Sequence, residues 1–226
     1  MPYYDNEAML ICHIATWQSY PKHIRDIMRF IIVDDGSPNK PAKEAIGKTD
    51  LNLKLFRVDL DIPWNQHGAR NLGMKHVDTN WAFMTDMDAV LTTDNLQKLL
   101  ELDKDPNKTY TVERLKMPDK ETYKYHPNTF LMTKETFWKV NGYDTNYCGT
   151  YGGDGIFKRD IEKVSTIKHL DNVFIHYYPR GYFRDSGTNT LERTGFFKDQ
   201  YRKLLNSRDL RKGWDPVPFP WHEVEL

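Results

Sequence analysis

Cysteine is nearly missing from this chain: Cys12 and Cys148 are the only two in 226 residues. Two thiols give no disulfide framework, so both read as packing residues in a reduced, cytoplasmic setting. Net charge is missing as well, since 32 Lys and Arg balance 32 Asp and Glu. Without an overall positive field there is no general attraction for nucleic acid, and specificity has to come from local sites. There is no run of about 18 apolar residues, which predicts that no segment spans a membrane. The start, Met1 to Glu7, has neither the basic residues nor the apolar stretch of a signal peptide. Internal repeats and low-complexity tracts are absent too. Aromatic residues are plentiful, with six Trp, thirteen Tyr and eleven Phe. They serve sugar-binding surfaces and cores alike, so on their own they select neither.

Apolar runs alternate with helical segments through the first hundred residues. Residues 8–16 (AMLICHIAT) and 30–33 (FIIV) read as buried parallel strands, joined by two turns of helix within 21–28. A strand at 53–58, a helix at 66–76, a strand at 81–85 and a helix at 94–102 continue the series. Such alternation predicts an α/β fold with a mostly parallel, doubly wound sheet, whose ligands sit beyond the carboxyl ends of the strands. The second half is less regular. Strands are expected at 109–113 and 129–133, a helix at 134–140, a glycine-rich loop at 142–155, a short helix at 157–162 and a last strand at 173–177. Residues 180–212 carry nine Lys and Arg against four Asp and Glu, a locally basic tail. One domain is expected, with a first half at about 1–105, a smaller mixed half at about 106–178, and a tail at about 179–226.

Acidic clusters fall at the strand ends. Asp86-Met87-Asp88 puts two carboxylates on one side of an extended segment, where they can share a hard divalent cation and a ribose hydroxyl. The same spacing recurs at Asp59/Asp61 and Asp103/Asp105, so the motif alone is weak and its place after a hydrophobic strand matters. Asp34-Asp35-Gly36-Ser37 ends the 30–33 strand. It suits an Asp/Gly turn or a helix cap, and equally a carboxylate that accepts the N3–H of a uracil ring.

Taken together, the order strand, Val33-Asp34-Asp35-Gly36-Ser37, then Gly68-Ala69-Arg70-Asn71-Leu72-Gly73, then a strand ending in Asp86-Met87-Asp88 resembles the family-2 glycosyltransferases of the GT-A fold, over roughly residues 8–178. The resemblance implies a nucleotide-sugar site in the half at about 1–105 and an acceptor side in the half at about 106–178. Asp34 or Asp35 would hold the base, Arg70 would lie behind or against the diphosphate, and Asp86 with Asp88 would bind ribose and metal, with Thr16 in the same nucleotide-sugar set. An internal ion pair is the competing role for Arg70. Farther on, Asn141-Gly142-Tyr143-Asp144 and Tyr151-Gly152-Gly153-Asp154 resemble the Gly-Trp-Gly-Gly-Glu-Asp segment of galactosyltransferase-like members. Tyr151, Gly152 and Gly153 would then approach the acceptor. Tyr151 replaces Trp and Asp154-Gly155 replaces Glu-Asp, which leaves Asp154 as the expected base, with a helix cap as its alternative. The family also implies a third metal ligand near His176, ahead of His13, His67 and His169. Two carboxylates and an imidazole suit Mn²⁺ or Mg²⁺, the nitrogen favouring Mn²⁺.

The reaction so implied is transfer of a sugar from a nucleoside diphosphate, UDP being the expected carrier, to an acceptor hydroxyl. Direct displacement inverts the anomeric centre. Arg180 and Arg184, with Gly181 and Gly187 permitting hinging, suit a basic lid or simply a solvated face. A sugar nucleotidyltransferase would need a basic, glycine-rich loop after the first strand, where this chain has Ala15-Thr16-Trp17-Gln18-Ser19. A binding module that transfers nothing is the remaining alternative, opposed by Asp154 and the paired aspartates.

Overall fold

The computed structural model describes residues 1–150, 152–179, 181, 182, 202, 203, 206 and 213–226. Two sheets carry the fold. The first has the order β1 (Pro2–Tyr3), β2 (Phe30–Asp34), β3 (Leu53–Val58), β10 (Trp221–Val224). β1 and β3 both run parallel to β2, and β10 closes the far edge antiparallel to β3, with Trp221 opposite Val58. The second is six-stranded. Along it lie β4 (Trp81–Met84), β8 (Phe130–Thr133), β6 (Lys108–Lys116), β9 (Thr166–Tyr177) and β5 (Ala89–Leu91), while β7 (Glu121–Tyr123) pairs with β6. Here only β6 and β9 are parallel. The fold is thus mixed α/β, with its parallel, Rossmann-like pairing confined to the first sheet and a mixed sheet that is the larger of the two.

The expected strand over 8–16 is a helix, α1 (Glu7–Ser19). Its buried residues Met9, Leu10, His13, Ile14 and Trp17 recur at helical spacing, while Ile11 is exposed. The Asn6 side chain caps it by accepting from the Met9 N–H at 3.4 Å. A nine-residue apolar run is ambiguous between the two states, and here the cap and the period decide. The connection to β2 continues through α2 (Lys22–Arg25), and α1 packs beside α3 (Ala42–Ile46). The Trp17 ring stacks on Phe30 at 4.7 Å, tying helix to strand.

Helix α4 (Gln66–Lys75) is buried from His67 to Met74. Ala69 and Leu72 join Val33, Phe56, Val58 and Phe219 in a core against the first sheet. Burying a side chain such as Leu72 stabilises by about 1.5–3 kcal/mol. Asn71 accepts from the Tyr143 N–H at 2.8 Å and donates to the carbonyls of Tyr143 and Pro216. That fixes the second half of the chain on the first. A smaller core beneath the second sheet contains Phe130, Phe137, Tyr143 and Phe157. The chain is completed by α5 (Thr93–Glu101), α6 (Lys134–Lys139), a 3₁₀ turn at Thr145–Tyr147 and α7 (Gly153–Ile161). Among the described residues, no helix is long and apolar enough to cross a membrane.

Candidate active site

A cavity of about 450 Å³ opens where the two sheets meet. Tyr3, Tyr4 and Asp35 line one part of it, Asp86, Asp88, Arg114 and His126 another, and His67, Gly152, Gly153 and Asp154 a third.

At the end of β2 the two neighbouring aspartates divide their roles. Asp34 is wholly engaged: it accepts from the backbone N–H of Ser37 and of Ala42, both at 2.9 Å, and from Arg57 Nη1 at 2.7 Å. It is the turn-forming residue. Gly36, at φ +75°, permits that turn, because a Cβ there would lie 2.3 Å from the Leu60 carbonyl oxygen. Asp35 instead lines the cavity and accepts one hydrogen bond from Asn65 Nδ2 at 2.8 Å. Burial pushes its carboxyl up to about 7, against the lowering effect of the Asn65 bond.

The paired aspartates occupy the turn between β4 and β5. The Ala89 N–H closes it onto the Asp86 carbonyl at 3.2 Å, and Thr85 Oγ1 donates to the Ala89 carbonyl. From below, His13 Nε2 meets the Met87 carbonyl at 2.9 Å. Burial lowers this imidazole to about 4, so at neutral pH it is an uncharged donor. His13, from sequence a weak metal candidate, therefore clamps the motif's backbone.

Arg70 is an internal brace. Its guanidinium pairs with Asp86 Oδ1, bonds Gln66 Oε1 at 3.1 Å and lies 5.2 Å from the Tyr143 ring. Burial alone would lower its pKa, but the Asp86 carboxylate outweighs it and the net shift is upward. Asp86 is held below its usual range by that same arginine in spite of burial.

The third group beside these carboxylates is His126, not His176. Pairing of β4 with β8 puts Met84 opposite Phe130. Continuing that antiparallel register past the strand ends brings Asp86 opposite Asn128 and Asp88 opposite His126. Asn128 Nδ2 accordingly donates to Asp86 Oδ2 at 3.1 Å, and His126 Nε2 lies 3.6 Å from Asp88 Oδ1 and 3.9 Å from Asp86 Oδ2. One ligand atom from each of Asp86, Asp88 and His126 lies within 4.8 Å of the other two. His176 does not line the cavity, whereas the next residue, Tyr177, does. Successive residues of β9 face opposite sides of the sheet, so His176 is turned away.

The donor set suits a divalent cation. Asp88 Oδ1 is buried without a hydrogen-bond partner. His126 has a further requirement: its Nδ1 accepts from the Asn128 N–H at 3.2 Å, so a neutral ring carries its hydrogen on Nε2. Ligation through Nε2 needs that proton moved and the Asn128 contact opened. Alongside, Arg114 donates from Nε to the Lys124 carbonyl at 2.8 Å, its guanidinium held between Tyr123 and Tyr177 at 4.5 and 5.0 Å. Its bonds fix the loop that carries His126.

Asp154 lies in the first turn of α7, where the helix dipole favours a carboxylate. It is not the cap, since Gly152 holds that position. Burial raises its carboxyl, yet His67 and Arg70 outweigh that and draw it down to about 2. Asp144 is spent on the 3₁₀ turn, accepting from the Asn146 N–H at 3.0 Å. Gly152 and Gly153 line the cavity beside Asp154. Thr16 does not line it; on α1 its hydroxyl donates to the Cys12 carbonyl at 2.8 Å. Tyr151, Arg180, Arg184 and Gly187 lie outside the described residues.

The two glycines that flank Asp154 give a local prediction. A Cβ on Gly153 would sit 2.2 Å from His67 Cε1, whereas one on Gly155 meets nothing within 4 Å. Gly155→Ala should stabilise the fold by about 0.5–1 kcal/mol through helix propensity. Gly153→Ala should destabilise it by about 1–3 kcal/mol through overpacking. Urea denaturation of both variants measures this, and equal midpoints would refute the packing described.

A sequence model of glycosyl transferase family 2 matches residues 1–165. No curated protein matches the chain. Among solved structures, S. aureus TarS 1–349 in complex with UDP-GlcNAc is similar with a TM-score of 0.68 at 12% identity, over 93% of this chain and 67% of that one. Mannosyltransferase PcManGT from Pyrobaculum calidifontis, in complex with GDP-Man and Mn²⁺, gives 0.60 at 16% identity, over 96% and 66%. GalNAc-T7 with UDP, GalNAc and Mn²⁺ gives 0.63 at 12% identity, over 79% and 43%. In another crystal structure of TarS 1–349 the chain spans 58% of that protein. At these identities the likeness is one of fold.

Proposed function

This chain belongs to glycosyl transferase family 2, and from that premise we propose that it transfers a hexose from a UDP-sugar to an acceptor hydroxyl with inversion, using Asp154 as general base and a divalent ion, Mn²⁺ by preference. The observation that carries the reading is the convergence on one cavity of Asp35, the Asp86/Asp88/His126 cluster and Asp154. Asp35 reads the base. Asp86 holds the ribose, and Asp86, Asp88 and His126 hold the ion, which when bound supplies positive charge to the departing diphosphate. Arg114 lines the same part of the cavity, bonded to carbonyls, and offers a second cation to the phosphates. Asp154 accepts the acceptor's proton as the hydroxyl oxygen bonds to the anomeric carbon and the carbon–oxygen bond to the diphosphate breaks, its electron pair leaving with the diphosphate. Gly152 and Gly153 leave room for the acceptor beside that carboxylate.

Thermal shift with UDP, GDP and their sugars, with and without Mn²⁺, tests this reading. A UDP-sugar with Mn²⁺ should give the largest shift. Equal shifts in EDTA would remove the metal, and preference for GDP would remove the uracil assignment.

Asp35 adds a pH dependence. A carboxyl near 7 in the fold and about 3.9 in the unfolded chain keeps its proton longer when folded. Between about pH 4 and 7 the native state binds more protons, so this group's effect is to lower stability as pH rises through that window. The ionised form accepts more strongly from uracil N3–H, so UDP affinity should rise through pH 7 while the free protein loses stability. Calorimetric titration of UDP with Mn²⁺ from pH 5.5 to 8.5 checks this against Asp35→Asn, in which only the phosphate's own titration remains. A wild-type profile parallel to that of the variant would refute the role.

A further inference from the structure

His67 has no part in the assignment above, yet it is enclosed at the heart of the site. It is the second residue of α4 and is 1% exposed. One face of its imidazole lies along the Tyr143 ring, with centroids 5.3 Å apart and planes within 12°. Gly153 has no side chain, and that is what admits the ring edge next to Asp154. Nε2 lies 3.4 Å from Asp154 Oδ1, at the long limit of a hydrogen bond, as catalytic contacts often are before substrate closes a site. Nδ1 is buried with no partner. A carboxylate only accepts, so Nε2 carries a hydrogen in this contact.

We propose that His67 is a positioning residue for the base: its Nε2–H, aimed by the Tyr143 ring, holds Asp154 Oδ1 and leaves Oδ2 turned to the acceptor hydroxyl. The inference rests on Asp154 being the base. In the transfer step His67 keeps its proton, and the acceptor's proton goes to Asp154. Asn128 hydrogen-bonds the same carboxylate and Arg70 faces it electrostatically, so His67 acts alongside these two groups.

The test uses two substitutions and one spectrum. Phe keeps a flat ring for Tyr143 but has no donor; Gln keeps a donor without the ring. Turnover is read as UDP released into water from whichever of UDP-glucose, UDP-galactose and UDP-GlcNAc gives the largest thermal shift with Mn²⁺, water taking the acceptor's place. His67→Phe should lower kcat by about 10-fold or more while donor KM stays within about twofold, and His67→Gln should recover part of the loss. In an Asp154→Asn background, His67→Phe should add nothing, because the two act as one unit. ¹⁵N NMR of the ring should show a proton on Nε2. Wild-type kcat in His67→Phe, a change confined to KM, full additivity with Asp154→Asn, or a ring with no proton on Nε2 would each overturn the proposal. Should Asp154→Asn itself turn over normally, the base assignment fails instead, and the ring's tautomer still decides whether His67 donates to Asp154.

Discussion

Asp154→Asn should reduce sugar transfer, and donor hydrolysis with it, by about 100-fold, close to 3 kcal/mol of transition-state stabilisation. Asn keeps the size of the side chain and an oxygen for the His67 donor but cannot take a proton. Donor affinity should change little, since the base, ribose and ion are held by Asp35, Asp86, Asp88 and His126. Stability separates this from a structural role. Gly152 occupies the cap position, so no helix cap is lost, and any destabilisation comes from an acid whose carboxyl is held near 2. A folded carboxyl below its unfolded value stabilises the native state above about pH 4, and that contribution is lost as pH falls toward 2. At pH 7 the variant should therefore be less stable than wild type, and by pH 3 about half of that difference should be gone. Turnover within twofold of wild type would refute the assignment of Asp154.

The second large effect concerns the cation. At about 100 times Kd, UDP with Mn²⁺ should stabilise the protein by roughly 2.7 kcal/mol, a rise of about 5–10 °C for a chain of this size. Asp88→Asn, by removing a carboxylate whose buried oxygen has no other partner, should reduce that rise to about 1 °C, the value left if affinity falls about 100-fold. His126→Ala should act in the same direction, and His176→Ala should leave the shift intact. Asp105→Asn is the control, because that residue has the same Asp-x-Asp spacing but is paired with Lys108 at 2.9 Å and bonded by the Asn107 N–H at 3.0 Å. Loss of the Mn²⁺-dependent shift in His176→Ala but not in His126→Ala would reverse the roles of the two histidines.

Residues whose role follows from neighbours along the chain are legible in the sequence. Phe30 to Ser37 reads as a strand closed by an acidic turn, and β2 ends there. The Gly68 to Gly73 helix, the β4 strand and the Asp86/Asp88 turn after it also follow from local pattern. Asp154 is legible as the carboxylate of a glycine-rich approach. Residues 8–16 mislead because an apolar run of that length fits a buried strand or a buried helix face, and the Asn6 cap that distinguishes them lies just outside the run. Thr16 is misplaced with them.

What the sequence by itself determined was therefore the α/β class, the order of most elements and the acidic residues at their ends, since these depend on periodicity and turn chemistry within a few residues. Only the tertiary structure decided which groups stand together. His126 and Asn128 reach the paired aspartates because β8 lies antiparallel beside β4 in one register. A shift of one residue would turn each of them to the other face. The division of labour between Asp34 and Asp35 likewise depended on Arg57, from the neighbouring strand, engaging the first and leaving the second to the cavity. Arg70 came to brace Asp86 because burial left that carboxylate as its nearest counter-charge, while the residue still lines the cavity. Register, burial and long-range pairing are set by the packing of the whole chain, so no window of sequence contained them.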